Sequence, residues 1–323
     1  MKTLFNFNLE LNVIYLAVAL IIDYILGDPR WLPHPIIYIG KLISKLEKFF
    51  RSRCKSNMEL KLSGGLIVIL VAAITYIVPY AVIYICKFNI YIFHTLNVLI
   101  IWTTLASKSL YEAGIEVFNP LINGNIDEAR VKLSYIVGRD TKNLNEHEII
   151  RATVETVSEN TSDGVIAPMV FALVGGAPLA MLYKGINTMD SMLGYMNEKF
   201  RYIGFFPAKV DDAFNFLPAR ITGVLMCFVA PMVGGNIFQT LKIMIRDRKN
   251  HKSPNCAYPE GATAGALKVQ LGGTNSYFGE MMAKPTIGDN IKALQPTDIF
   301  EAGKLMYSSE ILLMILLLLY LLM

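Results

Sequence analysis

Carboxylate and amide side chains crowd beside apolar runs at several places in this 323-residue chain. The first is Arg151-x-x-x-Glu155-x-x-x-Glu159-Asn160-x-x-Asp163. On a helix, Arg151, Glu155 and Glu159 stand at i, i+4 and i+8 and share one face. Asp163 extends that face only if the helix runs through Gly164. Two carboxylates one turn apart repel unless a cation lies between them. Mg2+ suits such a place, because it takes oxygen ligands from one or two carboxylates plus substrate phosphates. A solvated face with a Glu–Arg pair has the same spacing, so spacing leaves both readings open.

A second cluster is Asn187-Thr188-Met189-Asp190-Ser191, with Asn187 and Asp190 as i, i+3 neighbours. A third is Asp211-Asp212-x-x-Asn215-x-x-Pro218-Ala219-Arg220. Adjacent aspartates cannot face one point on a helix, so Asp211 and Asp212 serve different partners, one as a cap or one as a ligand. A fourth runs from Asp23 through Gly27-Asp28-Pro29 to Pro33-His34-Pro35. Asp28-Pro29 is turn chemistry, and His34 reads either as a base or as an ordinary loop histidine. Gly138-Arg139-Asp140-Thr141 is a glycine turn bearing an arginine, of a kind that can hold a phosphate. The four cysteines and four histidines are scattered, with no C-x-x-C or H-E-x-x-H. There is no P-loop, G-x-S-x-G elbow or kinase signature, so any nucleotide binds by another route.

The elements that must position these groups are membrane helices. Hydrophobic residues make up 54% and charged residues 17%, with a mean hydropathy of +0.43. That balance excludes disorder and points away from a soluble enzyme. A net charge of +4 is too small for a nucleic-acid footprint. Residues 64–86 and 90–106 read as spans joined by a tight turn. Residues 13–26 read as a shorter, uncleaved anchor, and 311–323 as apolar but short for a crossing. Residues 164–182 and 221–238 are broken by Gly175-Gly176-Ala177-Pro178 and by Pro231 and Gly234-Gly235, and are expected to be re-entrant or packed inside the protein. The expectation is an all-α polytopic integral membrane protein of one domain, 1–323, with about four clear spans. Basic residues in 28–63, 184–220 and 242–252 place those loops in the cytoplasm. Residues 107–163 then read as helical, water-exposed and cytoplasmic, as do the motifs in 183–220. Residues 36–53 form a basic amphipathic helix that lies on a membrane surface or packs on its own protein. No alternating β pattern is evident.

Taken in order, the motifs resemble the CbiB/CobD family of cobalamin biosynthesis, the adenosylcobinamide-phosphate synthases. The resemblance rests on residues 23–40 (DYILGDPRWLPHPIIYIG), 137–141 (VGRDT), 151–168 (RATVETVSENTSDGVIAP), 175–178 (GGAP), 183–195 (YKGINTMDSMLGY), 211–220 (DDAFNFLPAR) and 253–279 (SPNCAYPEGATAGALKVQLGGTNSYFG). Val210 and the run Glu260-Gly261-Ala262-Thr263 depart from it. It implies an ATP-dependent amide-forming ligase in the cell membrane, its site facing the cytoplasm. Such an enzyme joins adenosylcobyric acid to (R)-1-amino-2-propanol phosphate, or to the free aminopropanol, with Mg2+ and ATP. It also implies a corrinoid substrate, contact with the bilayer, other cobalamin-pathway proteins as partners, and no nucleic acid.

On that resemblance, Glu155, Glu159, Asp163 and Asp190 hold Mg2+–ATP, with Asp211 or Asp212 completing the shell. Asn160, Asn187 and Ser191 orient phosphate or corrinoid amides. Arg139, Asp140, Arg151, Lys184 and Arg220 line the phosphate and substrate site, and His34 or Asp28 takes a proton from the amine. Two other classes remain open: a membrane regulator like the AmpE proteins, and a transporter with Asp23, Asp190 and the Asp211–Asp212 pair at mid-membrane.

Overall fold

A computed structural model describes residues 8–29, 31–195, 197–277 and 279–323. Arg30 of the basic loop and Phe278 of the last motif lie outside the described residues. The chain, read above as one domain, gathers into two compact units. One comprises Met1–Ala106 and Ala167–Asn215, the other Ser107–Ile166 and Phe216–Met323. The structure is 74% helical.

The first unit holds α1 (Leu9–Leu26), α2 (Pro35–Arg51), α3 (Asn57–Ile85) and α4 (Ile90–Trp102). The starts of these helices follow from their caps. Asn8, Ser56 and Asn89 each accept a backbone N–H of the first turn through their side chains. His34 caps α2 through Nδ1, and Pro35 supplies the preset first helical residue. The amphipathic helix α2 buries Ile39 and Ile43 against α3, so it packs on its own protein, with Lys41, Lys45 and Lys48 on the other side of the helix.

The second unit begins with α5 (Ser107–Ile122), α6 (Ile126–Ser134) and α7 (Glu146–Asn160). An Asn145/Glu148 capping box starts α7. The helix does not stop at Gly164: it continues as a π-helical turn, Thr161–Ile166, of a kind that often marks functional sites. The next helices are α8 (Ala167–Leu193) and α9 (Phe205–Phe214) of the first unit, then α10 (Phe216–Val229), α11 (Ile237–Asp247), α12 (Ala257–Leu267) and α13 (Thr297–Leu322) of the second. Within α8, Gly175 and Gly176 leave helical geometry, Gly176 at φ +64°, which bears out the break read from the sequence.

Among the described residues, six helical stretches are long and apolar enough to cross a membrane: Leu9–Leu26, Asn57–Phe88, Ile90–Ile122, Glu146–Leu193, Phe216–Val233 and Thr297–Leu322. The protein is a multi-pass membrane protein, and exposed side chains such as Ile21, Ile69, Ile77, Ile315 and Leu319 suit lipid contact. Both glycine- and proline-broken segments fall within these six.

Three expectations change. Residues 107–163 are helical but not generally water-exposed: α7 is buried along almost its whole length, from Ile149 to Ser158. Its polar side chains tolerate this because Thr153, Thr156 and Ser158 donate to carbonyls four residues back. The C-terminal apolar run is the end of a 26-residue helix, because Glu310 is hidden and accepts from Ser107 Oγ at 2.6 Å. Two small antiparallel ladders are present. β1 (Leu271–Gly272) pairs with β4 (Thr286–Ile287), and β2 (Asn275–Tyr277) with β3 (Glu280–Met282). Strands of two or three residues carry no period long enough to read from sequence.

Candidate active site

In the second unit, one helix face, one turn and the short ladders meet at Glu155. This carboxylate, with a side chain 6% exposed, accepts from Arg139 Nη2 at 2.6 Å and from the Gly272 backbone N–H at 2.8 Å. Arg151, one turn before it on α7, brings Nε to 3.8 Å. Arg139 and Arg151 converge again on Asn275 Oδ1, at 2.9 and 3.0 Å. Glycine makes the approach possible. At Gly272, φ is +77° and a Cβ would stand 2.5 Å from the Pro285 carbonyl oxygen; at Gly273, φ is +83°. Asp140 latches the turn to β2, accepting from Ser276 Oγ at 2.7 Å and from the Gly279 N–H at 2.8 Å.

Further along α7, Glu159 accepts from the Cys256 thiol at 3.0 Å. Burial, and then the nearby charges of Glu159, Glu260 and Asp163, push that thiol well above its ordinary pKa. Burial pulls His251 below its usual value although Glu159 opposes this, and Lys284 Nζ lies 3.4 Å from its Nε2. Two recesses adjoin the node. One, a narrow cleft, is lined by Glu155, His251, Glu260, Asn275 and Lys284 among others. The other, of about 410 Å³, is lined by His147, Arg151, Gln270, Asn290 and Lys292 with the Gly272–Gly273 backbone. Arg220 donates to Asn255 Oδ1 and stacks over Phe216 and Tyr258, 3.5 and 4.4 Å from their ring centres. Asn160 donates to the Thr156 carbonyl of its own helix.

In the first unit, Asp211 is buried on α9. It accepts from Asn215 Nδ2 at 3.0 Å and from Asn187 Nδ2 at 3.4 Å, and Tyr183 OH donates to Asn215 at 2.7 Å. Burial, reinforced by the charge of Asp190, pushes Asp211 up to about 8 against the two amide bonds. Asp212 turns elsewhere, to Lys209 at 3.4 Å, as expected of adjacent aspartates. Ser191 donates to the Asn187 carbonyl, and Lys184 is 8% exposed. His34 Nε2 stands 3.4 Å from Asp28 Oδ1.

The structure thus brings Arg139, Asp140, Arg151, Glu155, Glu159, Asp163 and Arg220 into one unit. Asp28, His34, Lys184, Asn187, Asp190, Ser191, Asp211 and Asp212 belong to the other. Among the described residues, no group of three or more His, Cys, Asp and Glu is placed to hold a metal by itself. The donor chemistry still fits a hard cation shared with phosphates: Asp190 raises Asp211, and Glu155 and Glu159 raise Glu260. Glu260, Asn275, Lys284 and Cys256 carried no role in the sequence reading. The one available signal was a lone acid, Glu260, in a run of small residues.

Residues 16–306 match the CobD/Cbib protein family. A cobalamin biosynthesis protein CobD of Clostridium tetani is 60% identical over 94% of this chain and 96% of its own length. One from Geobacter metallireducens is 48% identical over 92% and 93%. The cobalamin biosynthesis protein CbiB of Salmonella typhi is 43% identical over 94% and 95%. No solved structure matches the chain.

Proposed function

The chain belongs to the CobD/CbiB family and acts in cobalamin biosynthesis, and from that premise we propose that it is an ATP-dependent amide-forming ligase. Its substrates are adenosylcobyric acid and (R)-1-amino-2-propanol phosphate or the free aminopropanol. The product is adenosylcobinamide phosphate or adenosylcobinamide. The reaction has a clear requirement: a carboxylate does not acylate an amine at neutral pH, because oxide is a poor leaving group. Transfer of the γ-phosphoryl of ATP to the carboxylate gives an acyl phosphate and ADP. Attack by the amine then forms the C–N bond and releases phosphate, with the ammonium proton passing to a base.

The observation that carries this reading is the Arg139–Glu155–Arg151–Asn275 node beside two recesses. Glu155 holds Arg139 and stands beside Arg151, two guanidinium groups of the kind that binds phosphoryl oxygens. Within the second unit, Glu159 and Asp163 are the carboxylates offered to Mg2+; Asp190, Asp211 and Asp212 form an acidic group of the first unit. When bound, the ion offsets charge on the transferring phosphoryl group. The basic loops support a site on the cytoplasmic side of the cell membrane.

The test is product formation by protein in lipid nanodiscs, read by mass spectrometry. The reading expects condensed corrinoid that requires adenosylcobyric acid, the amine, ATP and Mg2+ together. Folded protein that yields no product with either amine would overturn it.

A further inference from the structure

One helix away from the node carries its charge on a single side. Along α2, Ile37, Tyr38, Lys41, Lys45, Lys48 and Phe49 are exposed, and at 3.6 residues per turn they fall within an arc of about 120°. The opposite arc, through Ile39 and Ile43, is buried against α3 and α8. The acid of this helix, Glu47, is buried too and pairs with Arg51. The outer arc therefore holds three cations and no anion. Among the described residues, none of these lysines enters an ion pair. Lys41 leans over the Tyr38 ring, 5.7 Å from its centre, and Arg53, just past the helix, covers Phe49 at 3.8 Å.

The flanking chain fixes the level at which this arc sits. α1 ends at Leu26 and α3 starts at Asn57, and both are long and apolar enough to span. α2 joins them through residues 27–34 and 52–56. Its lysines, Glu47 and Arg51 keep it from crossing, so it lies at one face of the bilayer beside the ends of both spans. A helix at that level meets headgroups on its free side. Its side chains suit them: aromatic and aliphatic groups favour the boundary between headgroups and acyl chains, and lysines reach out from it to phosphates. Trp31, 80% exposed just before the helix, shares that preference. A free anion would use the lysines but leave Ile37, Tyr38 and Phe49 in water. A phospholipid uses both.

We infer that the outer arc of α2 is a binding surface for anionic phospholipids. Lys41, Lys45 and Lys48 take the headgroup phosphates, and Tyr38 and Phe49 sit at the top of the acyl chains. A choline headgroup carries its own cation, which competes with the lysines, so phosphatidylglycerol is held in preference to phosphatidylcholine. This surface is independent of the amide-forming reaction.

The test is native mass spectrometry of the full-length protein, released from nanodiscs that hold the two lipids in equal amounts. The unaltered protein should retain phosphatidylglycerol in excess. A lysine near an anionic surface is worth about 5-fold in binding. Lys41→Gln, Lys45→Gln and Lys48→Gln together should lower the excess by about 10- to 100-fold. Arginine at the same three positions should restore it. Removing the same charge from exposed positions of the second unit, by Lys142→Gln, Lys249→Gln and Lys268→Gln, should leave it in place. Hydrogen exchange gives a second readout. Peptides within 35–51 should exchange more slowly in phosphatidylglycerol nanodiscs than in phosphatidylcholine ones, and the α2 glutamine variant should lose that difference. Equal retention by the α2 glutamine variant, an equal fall in the second-unit variant, or no exchange difference would each overturn the inference. Displacement of the lipid by inorganic phosphate or by polyglutamate would overturn it as well, making the face a site for free anions or for an acidic protein.

Discussion

Glu155 carries two roles in one carboxylate, as a structural tie and as the group that aims two arginines. Breaking a buried pair leaves its partners charged and unpaired. Glu155→Gln should therefore cost about 3 kcal/mol of stability and also abolish turnover, read from thermal unfolding in detergent beside product formation. Glu159 differs, because its printed donor is the Cys256 thiol and not an arginine, and Asp190 is the acid whose charge raises Asp211. Glu159→Gln and Asp190→Asn should leave the unfolding midpoint near its original value and lower turnover by about 100-fold. Near-normal turnover in both would remove them from the reaction. The sequence placed Arg151, Glu155 and Glu159 on one face, since i, i+4 spacing is a local property. The bond from Arg139 to Glu155 was not readable there, since it is made by a turn and a ladder remote in sequence.

At the scale of elements, α11 is tied to β4 by one carboxylate. Asp247, the last residue of α11, accepts from Arg246 and from the Gly288 N–H at 2.7 Å. Burial alone would raise its pKa, but those hydrogen bonds hold it below the ordinary range. A depressed acid stabilises the fold above its unfolded pKa, and that contribution is lost as pH falls through the folded value. Asp247→Asn should thus lower stability by about 1–3 kcal/mol at pH 7. The gap from the unaltered protein should begin to narrow below about pH 4, as the unfolded state protonates, and close once pH falls below the folded value. A gap constant down to pH 3 would mean that shape rather than charge fixes the contact. The helix starts at Asn125 and Asn145 are set by their own side-chain caps, a local property. The ladders at 271–287 were not, since they exist only through pairing across a loop.

For the whole molecule, the proposed orientation puts the basic loops and the motifs in the cytoplasm. Single cysteines placed at exposed Lys41 and Lys249, in a chain whose four native cysteines are replaced, should react with an impermeant maleimide only after the cell membrane is opened. Labelling in intact cells would reverse the orientation. Chelation should be equally selective: EDTA should stop product formation while leaving the unfolding midpoint of the apo protein where it is, because arginines and backbone N–H groups tie the node together. A midpoint that falls with EDTA would assign the cation a structural part.

Membrane character, the helical class and the polar motifs were fixed by composition, run length and short spacings, all of which act within a few turns of chain. The glycine break in α8 was equally local, a matter of backbone freedom at Gly175 and Gly176. Only the tertiary structure decided which acids are tied, as with Glu155. Burial, and the arrival of donors from residues more than a hundred positions away, set a carboxylate's state, and neither is written in its neighbours along the chain.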